Sequence, residues 1–167
     1  MLDIDAIGIG SGEFALGLEW LKKQYAEQQP PFVLSNVVCG EERPFAREAI
    51  VETAEMKVGV LSFTNPKTSI EGCSVEQPKE AFEEIQLQSK PDMWVVISEL
   101  SEEQNRKLSL LMNHSIFIDA KTRKQRNVPE LLSDASAIVS VGSRGKHVGL
   151  LEMVVPENPQ GIWIHGL

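Results

Sequence analysis

A chain of 167 residues with 42% hydrophobic and 24% charged residues fits one soluble globular domain over 1–167, large enough to bury roughly 70% of its unfolded surface. Sixteen Lys and Arg against 24 Asp and Glu give a net charge of −8, which repels a phosphate backbone and excludes nucleic acid as a general partner. No apolar run approaches the roughly 18 residues of a membrane span, and no basic stretch leads into an apolar one at the N-terminus. The chain as it stands therefore reads as cytoplasmic and free of the membrane, with secretion open if an upstream segment was removed.

Residues 5 to 9 read as a short buried strand that ends in a Gly-rich turn, after which Phe14, Leu18, Leu21 and Tyr25 recur at helical spacing. Pro30 and Pro31 stop that helix, because neither donates a backbone hydrogen bond and each restricts its predecessor. Strands are expected at 32 to 38, 47 to 52 and 57 to 63, the last an almost continuous apolar run that suits a sheet covered on both faces. Pro78 opens a second helix with Ala81, Phe82 and Ile85 on one face, and Lys90 and Pro91 close it. A buried strand at 93 to 98 follows. Ser101 and Gln104 have capping-box spacing ahead of a helix carrying Leu108, Leu111 and Met112. The remainder reads as a strand at 115 to 119, a short helix near Leu131, and strands at 137 to 141, 148 to 155 and 161 to 165. Alternating helices and buried strands give an α/β layered sandwich with a mixed sheet flanked by helices, and no linker or repeat divides it.

Few residues announce chemistry. Cys39 and Cys73 stand 34 positions apart without a CxxC or neighbouring His, so two buried free thiols are the default and a disulfide is the alternative. Lys121, Arg123, Lys124 and Arg126 read first as a solvated basic loop. Ser11 lies between glycines but lacks the longer GxSxG pattern of a nucleophile elbow, which leaves a tight turn.

The segment DAIGIGSGEFALG at 5–17 resembles the DAxxxGNHEFDxG stretch of 5′-nucleotidase-type, calcineurin-like metallophosphoesterases. Further segments resemble that family in order: PFVLSN at 31–36, KVGVLSFTNP at 57–66, DMWVVISEL at 92–100, IDAKTR at 118–123 and GSRGKHVGLLEM at 142–153. The resemblance implies part of the calcineurin-like phosphoesterase fold, the second half of the family's catalytic domain. The family holds two divalent ions with Asp, His and Asn, which clamp a phosphoryl group and activate a hydroxide.

Carried over position by position, the resemblance implies a degenerate site. The Asn and His of the family's GNHE fall on Ser11 and Gly12, while its carboxylate remains at Glu13. The His of SHL falls on Glu99, and the two His of GHTH fall on Lys121 and Arg123, cations without a lone pair for a metal. The earlier DxH and GDxxD segments are absent. Ser11, Gly12, Glu13, Glu99, Lys121 and Arg123 thus form the expected degenerate pocket, with no catalytic residue, no metal ligand set and no cofactor. Glu13 reads more simply as a helix N-terminal carboxylate. His114, His147 and His165 lie outside the ligand positions and are expected at the surface or hydrogen-bonded.

The implied function is a non-catalytic, phosphoesterase-like domain that serves binding or assembly. Its expected partners are a small anion or phosphate-containing ligand near Lys121 and Arg123, and a second copy or partner chain covering an exposed sheet edge. The alternative is a metal-dependent phosphoester hydrolase that works only with a relocated metal site or a complementing segment.

Overall fold

The computed structural model describes residues 4–121, 125–142, 148–151, 153–154 and 163–164. Strand β1 (Ile7–Gly8) leads through a 3₁₀ turn at Glu13–Leu16 into helix α1 (Leu18–Gln28). Strands β2 (Phe32–Val33), β3 (Val37–Cys39), β4 (Glu48–Glu52), β5 (Lys57–Phe63) and β6 (Cys73–Val75) follow. Next come α2 (Pro78–Gln88), β7 (Met93–Ser98), α3 (Glu102–Ser109), β8 (Ser115–Asp119), β9 (Gln125–Ser133) and β10 (Ser136–Val141). Short strands β11 (Met153–Val154) and β12 (Trp163–Ile164) pair with each other.

Six of these form a mixed sheet in the order β4-β5-β7-β8-β10-β9. The inner four strands are parallel, and the antiparallel β4 and β9 form the two edges. Side chains alternate across the pleat, so Leu61, Phe63, Trp94, Val96, Phe117 and Ile138 share one face. That face packs on Ala81, Phe82 and Ile85 of α2 and on Leu108 of α3, forming the main core. The opposite face carries Met93, Ile116 and Ala137, with Val58, Val139 and Leu151 against them.

Over part of that second face lies a smaller layer. Strand β1 pairs with β2 in parallel, apart from the large sheet, and β3 pairs with β6. Ile9, Leu21, Leu34, Val37, Phe45 and Ile70 fill this layer's own core. Buried hydroxyls stitch it to the large sheet: Ser62 donates from Oγ to the Ile9 carbonyl and from its backbone N–H to Ser35 Oγ. A Cβ on Gly8 would lie 2.8 Å from Ile97, so only glycine lets β1 approach this closely.

Several expectations are corrected. The strand expected over 32 to 38 is broken into β2 and β3, because buried Ser35 and Asn36 turn toward β5 between them and bond across the layers. The helix expected near Leu131 is strand β9, whose alternation leaves Leu131 70% exposed and Leu132 7% exposed. The helix carrying Phe14 to Tyr25 is divided at Gly17, where φ is +88°. Cys39 and Cys73 are not free thiols: they form a disulfide between β3 and β6. Residues 143–147 of the GSRGKHVGLLEM segment, and most of the stretch with strands expected at 148 to 155 and 161 to 165, lie outside the described residues.

Candidate functional site at the strand ends

Parallel strands β5, β7 and β8 end together at Phe63, Ser98 and Asp119, which are paired in register. Chain segments leaving these ends make a rim, and β1 delivers its Gly-rich turn to the same place. Glu99 follows β7 directly, and its backbone N–H donates to the Phe63 carbonyl at 2.9 Å. Its carboxylate is then taken by Ser11, whose N–H donates to Oε2 at 2.8 Å and whose hydroxyl donates to Oε1 at 2.9 Å. A Cβ on Gly10 would stand 2.6 Å from Glu99 Oε1, so the turn can wrap this carboxylate only with glycine there.

Glu13 opens the 3₁₀ turn and its Oε2 accepts the Gly10 N–H at 2.9 Å, which makes it a local turn carboxylate. Gly12 is exposed, with no atom within 4 Å of a Cβ placed on it. Lys121 is exposed, and its backbone N–H donates to Asp119 Oδ1 at 3.1 Å. Among the described residues no ion pair joins Lys121 to Glu99, whose carboxylate is held by Ser11 instead. Ser11 and Glu99 are thus brought together. Arg123 lies outside the described residues, as do His147 and His165.

Sequence reasoning missed the cation that is built into this rim. Arg126, assigned to a solvated run, donates from Nη1 to Asp119 Oδ2 at 2.8 Å, with Nε 3.2 Å from Glu130. The two side chains of the Arg126–Asp119 pair are only 10% and 12% exposed. The hydrogen bond that Arg126 donates to Asp119 raises the guanidinium's pKa above its ordinary value against the opposing effect of burial, so Arg126 is a fixed charge. The available signal was Asp119 at the end of an apolar strand, where a half-buried carboxylate requires a partner. His114 also departs from expectation: it is half-buried, and its Nδ1 is buried without a hydrogen-bond partner.

Three cavities lie away from the rim residues, at the C-terminal end of α1, between the start of α2 and the second half of α3, and at the far end of the sheet. Among the described residues, no group of three or more His, Cys, Asp and Glu is placed to hold a metal ion. No described helix is long and apolar enough to cross a membrane.

No family model matches the sequence, and no curated protein matches it. Solved structures do. The sulfate thiohydrolase SoxB of Thermus thermophilus superimposes with a TM-score of 0.72 at 17% identity, over 95% of this chain and 31% of that one. A 5′-nucleotidase precursor, also of Thermus thermophilus, gives a TM-score of 0.60 at 18% identity, over 83% of this chain and 32% of that one. The calcineurin-like phosphoesterase YfkN of Bacillus subtilis gives 0.66 at 14% identity, over 98% of this chain and 62% of that one. The fold is therefore part of the calcineurin-like phosphoesterase fold, a mixed sheet flanked by helices. The chain spans less than two thirds of the length of each of these proteins.

Proposed function

We propose that this domain is a non-catalytic member of the phosphoesterase-like scaffold, one whose strand-end rim serves binding or assembly and not hydrolysis. The observation that carries the reading is the double hydrogen bond from Ser11 to Glu99. Both carboxylate oxygens are occupied by donors from the turn that resembles the family's GNHE segment. A metal at that point would have to break two charge-assisted bonds to gain one ligand. Asp119 is likewise neutralised by Arg126, so a fixed guanidinium stands where a dinuclear site needs ligands for added positive charge. The rim's carboxylates are satisfied from within.

The experiment is isothermal titration with Mn²⁺ alongside a phosphate-release assay on nucleoside monophosphates. No stoichiometric metal binding and no metal-dependent turnover are expected. Two bound ions with turnover would overturn the proposal. A second reading is favoured by one observation, that the chain spans about a third of two of the similar structures. In that reading the rim is one half of a hydrolase site that a complementing segment finishes, and turnover that starts only when such a segment is added would support it.

A further inference from the structure

A cavity of about 430 Å³ lies at the C-terminal end of α1, where the chain turns into β2 beside Ala46 and Ala49. Its size suits a small molecule. Of the residues that line it only Val33 is buried, and Tyr25 is 38% exposed, so the walls are open to a ligand. Tyr25 and Phe32 supply two aromatic rings with centroids 6.2 Å apart, and buried Phe45 packs against each of them at 5.4 Å. The rings are thereby fixed before a ligand arrives.

The end of the helix gives this cavity a sign. A helix leaves its last carbonyls without intrahelical partners, and they carry its partial negative charge. In α1 the Gln29 N–H donates to the Tyr25 carbonyl at 2.9 Å. The carbonyls of Ala26 and Glu27 would next need N–H groups at positions 30 and 31, and Pro30 and Pro31 have none. The Gln28 carbonyl would need the Phe32 N–H, which instead donates to the Pro30 carbonyl at 2.7 Å. Three consecutive carbonyls, of Ala26, Glu27 and Gln28, are therefore left without the donors that normally follow them. Among the described residues no side chain supplies the missing positive charge, because the last turn of α1 holds no basic residue and no Lys, Arg or His lines the cavity. Lys22 and Lys23, earlier on the helix, pair with Glu19 and Glu27.

We propose that this cavity binds a small organic amine, a primary ammonium carried on an aromatic or apolar body. The ammonium donates to the free carbonyls of the helix end and is attracted by the electron-rich ring faces of Tyr25 and Phe32. The body rests on the apolar walls that Pro31, Ala46 and Ala49 provide. A carboxylate would meet the negative end of the helix and the negative ring faces, both repulsive, and a neutral molecule without a donor would leave the carbonyls unbonded. The net charge of −8 favours a cation at long range as well.

The test titrates the full chain with phenethylammonium, phenethyl alcohol, phenylacetate and methylammonium, followed by ligand-observed saturation-transfer NMR. The ring-bearing probes differ in charge, and methylammonium has the charge without the ring. Phenethylammonium is expected to bind saturably, roughly tenfold more tightly than phenethyl alcohol or methylammonium, with phenylacetate weakest. Tyr25→Leu should weaken it about fivefold, while Tyr25→Phe, which keeps the ring, should not. Ala26→Lys tethers an ammonium at the helix end and should displace the ligand, whereas Ala26→Gln, of similar length without the charge, should not. If Tyr25→Leu lowers the melting temperature, the Ala26 pair decides, since Ala26 is exposed and outside the core. Absence of saturable phenethylammonium binding overturns the proposal. So does equal affinity for phenethyl alcohol, or an equal effect of Ala26→Lys and Ala26→Gln.

Discussion

Asn36 shows how one buried side chain can join two layers. It is fully buried, and its amide nitrogen donates to the carbonyls of Thr64 and Glu76 at 2.8 and 2.9 Å, while its oxygen accepts the Thr64 N–H at 2.9 Å. It thereby stands in for a strand neighbour at the end of β5. Asn36→Ala would strand three backbone groups away from water, and at about 1 kcal/mol for each bond the expected loss is about 3 kcal/mol. A lower denaturant midpoint with an unchanged m-value in urea unfolding would check it. A surface carboxylate behaves differently. The Lys57 hydrogen bond, and then its charge, hold the Glu52 carboxyl below its ordinary pKa, with Nζ 2.8 Å from Oε1. A depressed carboxylate stabilises the fold above its unfolded value and loses that contribution as the pH falls through the folded one. Wild type and Glu52→Gln should therefore melt apart slightly near neutral pH in low salt and together near pH ~2, because both partners are exposed and easily screened. Identical melting at neutral pH would show that the pair contributes nothing.

Elements with a strong local signature were legible in the sequence. Strands β7 and β8 occupy the expected spans because their apolar runs are covered on the helical face by α2 and α3. Helix α2 begins at Pro78, where the missing N–H is one that a helix start leaves unbonded anyway, and α3 has the full reciprocal cap between Ser101 and Gln104. What was illegible depended on contacts distant in sequence. The β2–β3 break is set by Ser35 and Asn36 bonding to residues beyond position 46, and no periodicity carries that. The Arg126–Asp119 pair was hidden because a basic run looks solvated until a strand end delivers a carboxylate to it. The disulfide belongs here too: Cys39 and Cys73 face each other in register across β3 and β6, while their N–H groups bond to Glu42 and Ile70 in separate tight turns. Closing a loop of 34 residues of separation should stabilise the fold by about 4 kcal/mol through the unfolded chain. Calorimetry with and without a thiol reductant should therefore show a melting temperature lower by roughly 8 to 16 °C after reduction, as should the Cys39→Ser and Cys73→Ser double variant. An unchanged melt on full reduction would contradict the disulfide's stabilising role.

At the scale of the whole molecule, the two faces of the large sheet are unequally covered. The helical face is closed by α2 and α3, and its Leu61, Phe63, Val96 and Phe117 are all inaccessible. On the opposite face the small layer of β1, β2 and α1 covers only part of the surface, and Val95, Ile97, Ile118 and Val139 remain partly exposed. The sheet's outer edges, by contrast, are guarded against strand addition: β4 has Glu48 and Glu52 at its ends, and β9 contains Pro129 and irregular pairing with β10. A covering chain is therefore expected on a sheet face and not along an edge of the large sheet. The helix α1 adds to that side, since Trp20 is 47% exposed and Leu21 is its one fully buried residue among eleven. A net charge of −8 opposes self-association at low salt, and screening removes that opposition while leaving apolar contact intact. We expect the purified chain to be monomeric at low ionic strength and to associate as salt rises into the molar range, as read by light scattering coupled to size-exclusion chromatography. Replacing Val95 and Ile118 by Thr should weaken the association, while replacing Ile50 on the guarded edge strand β4 should not. Salt-independent monomers at every concentration would show that the partly exposed face is sufficiently covered already.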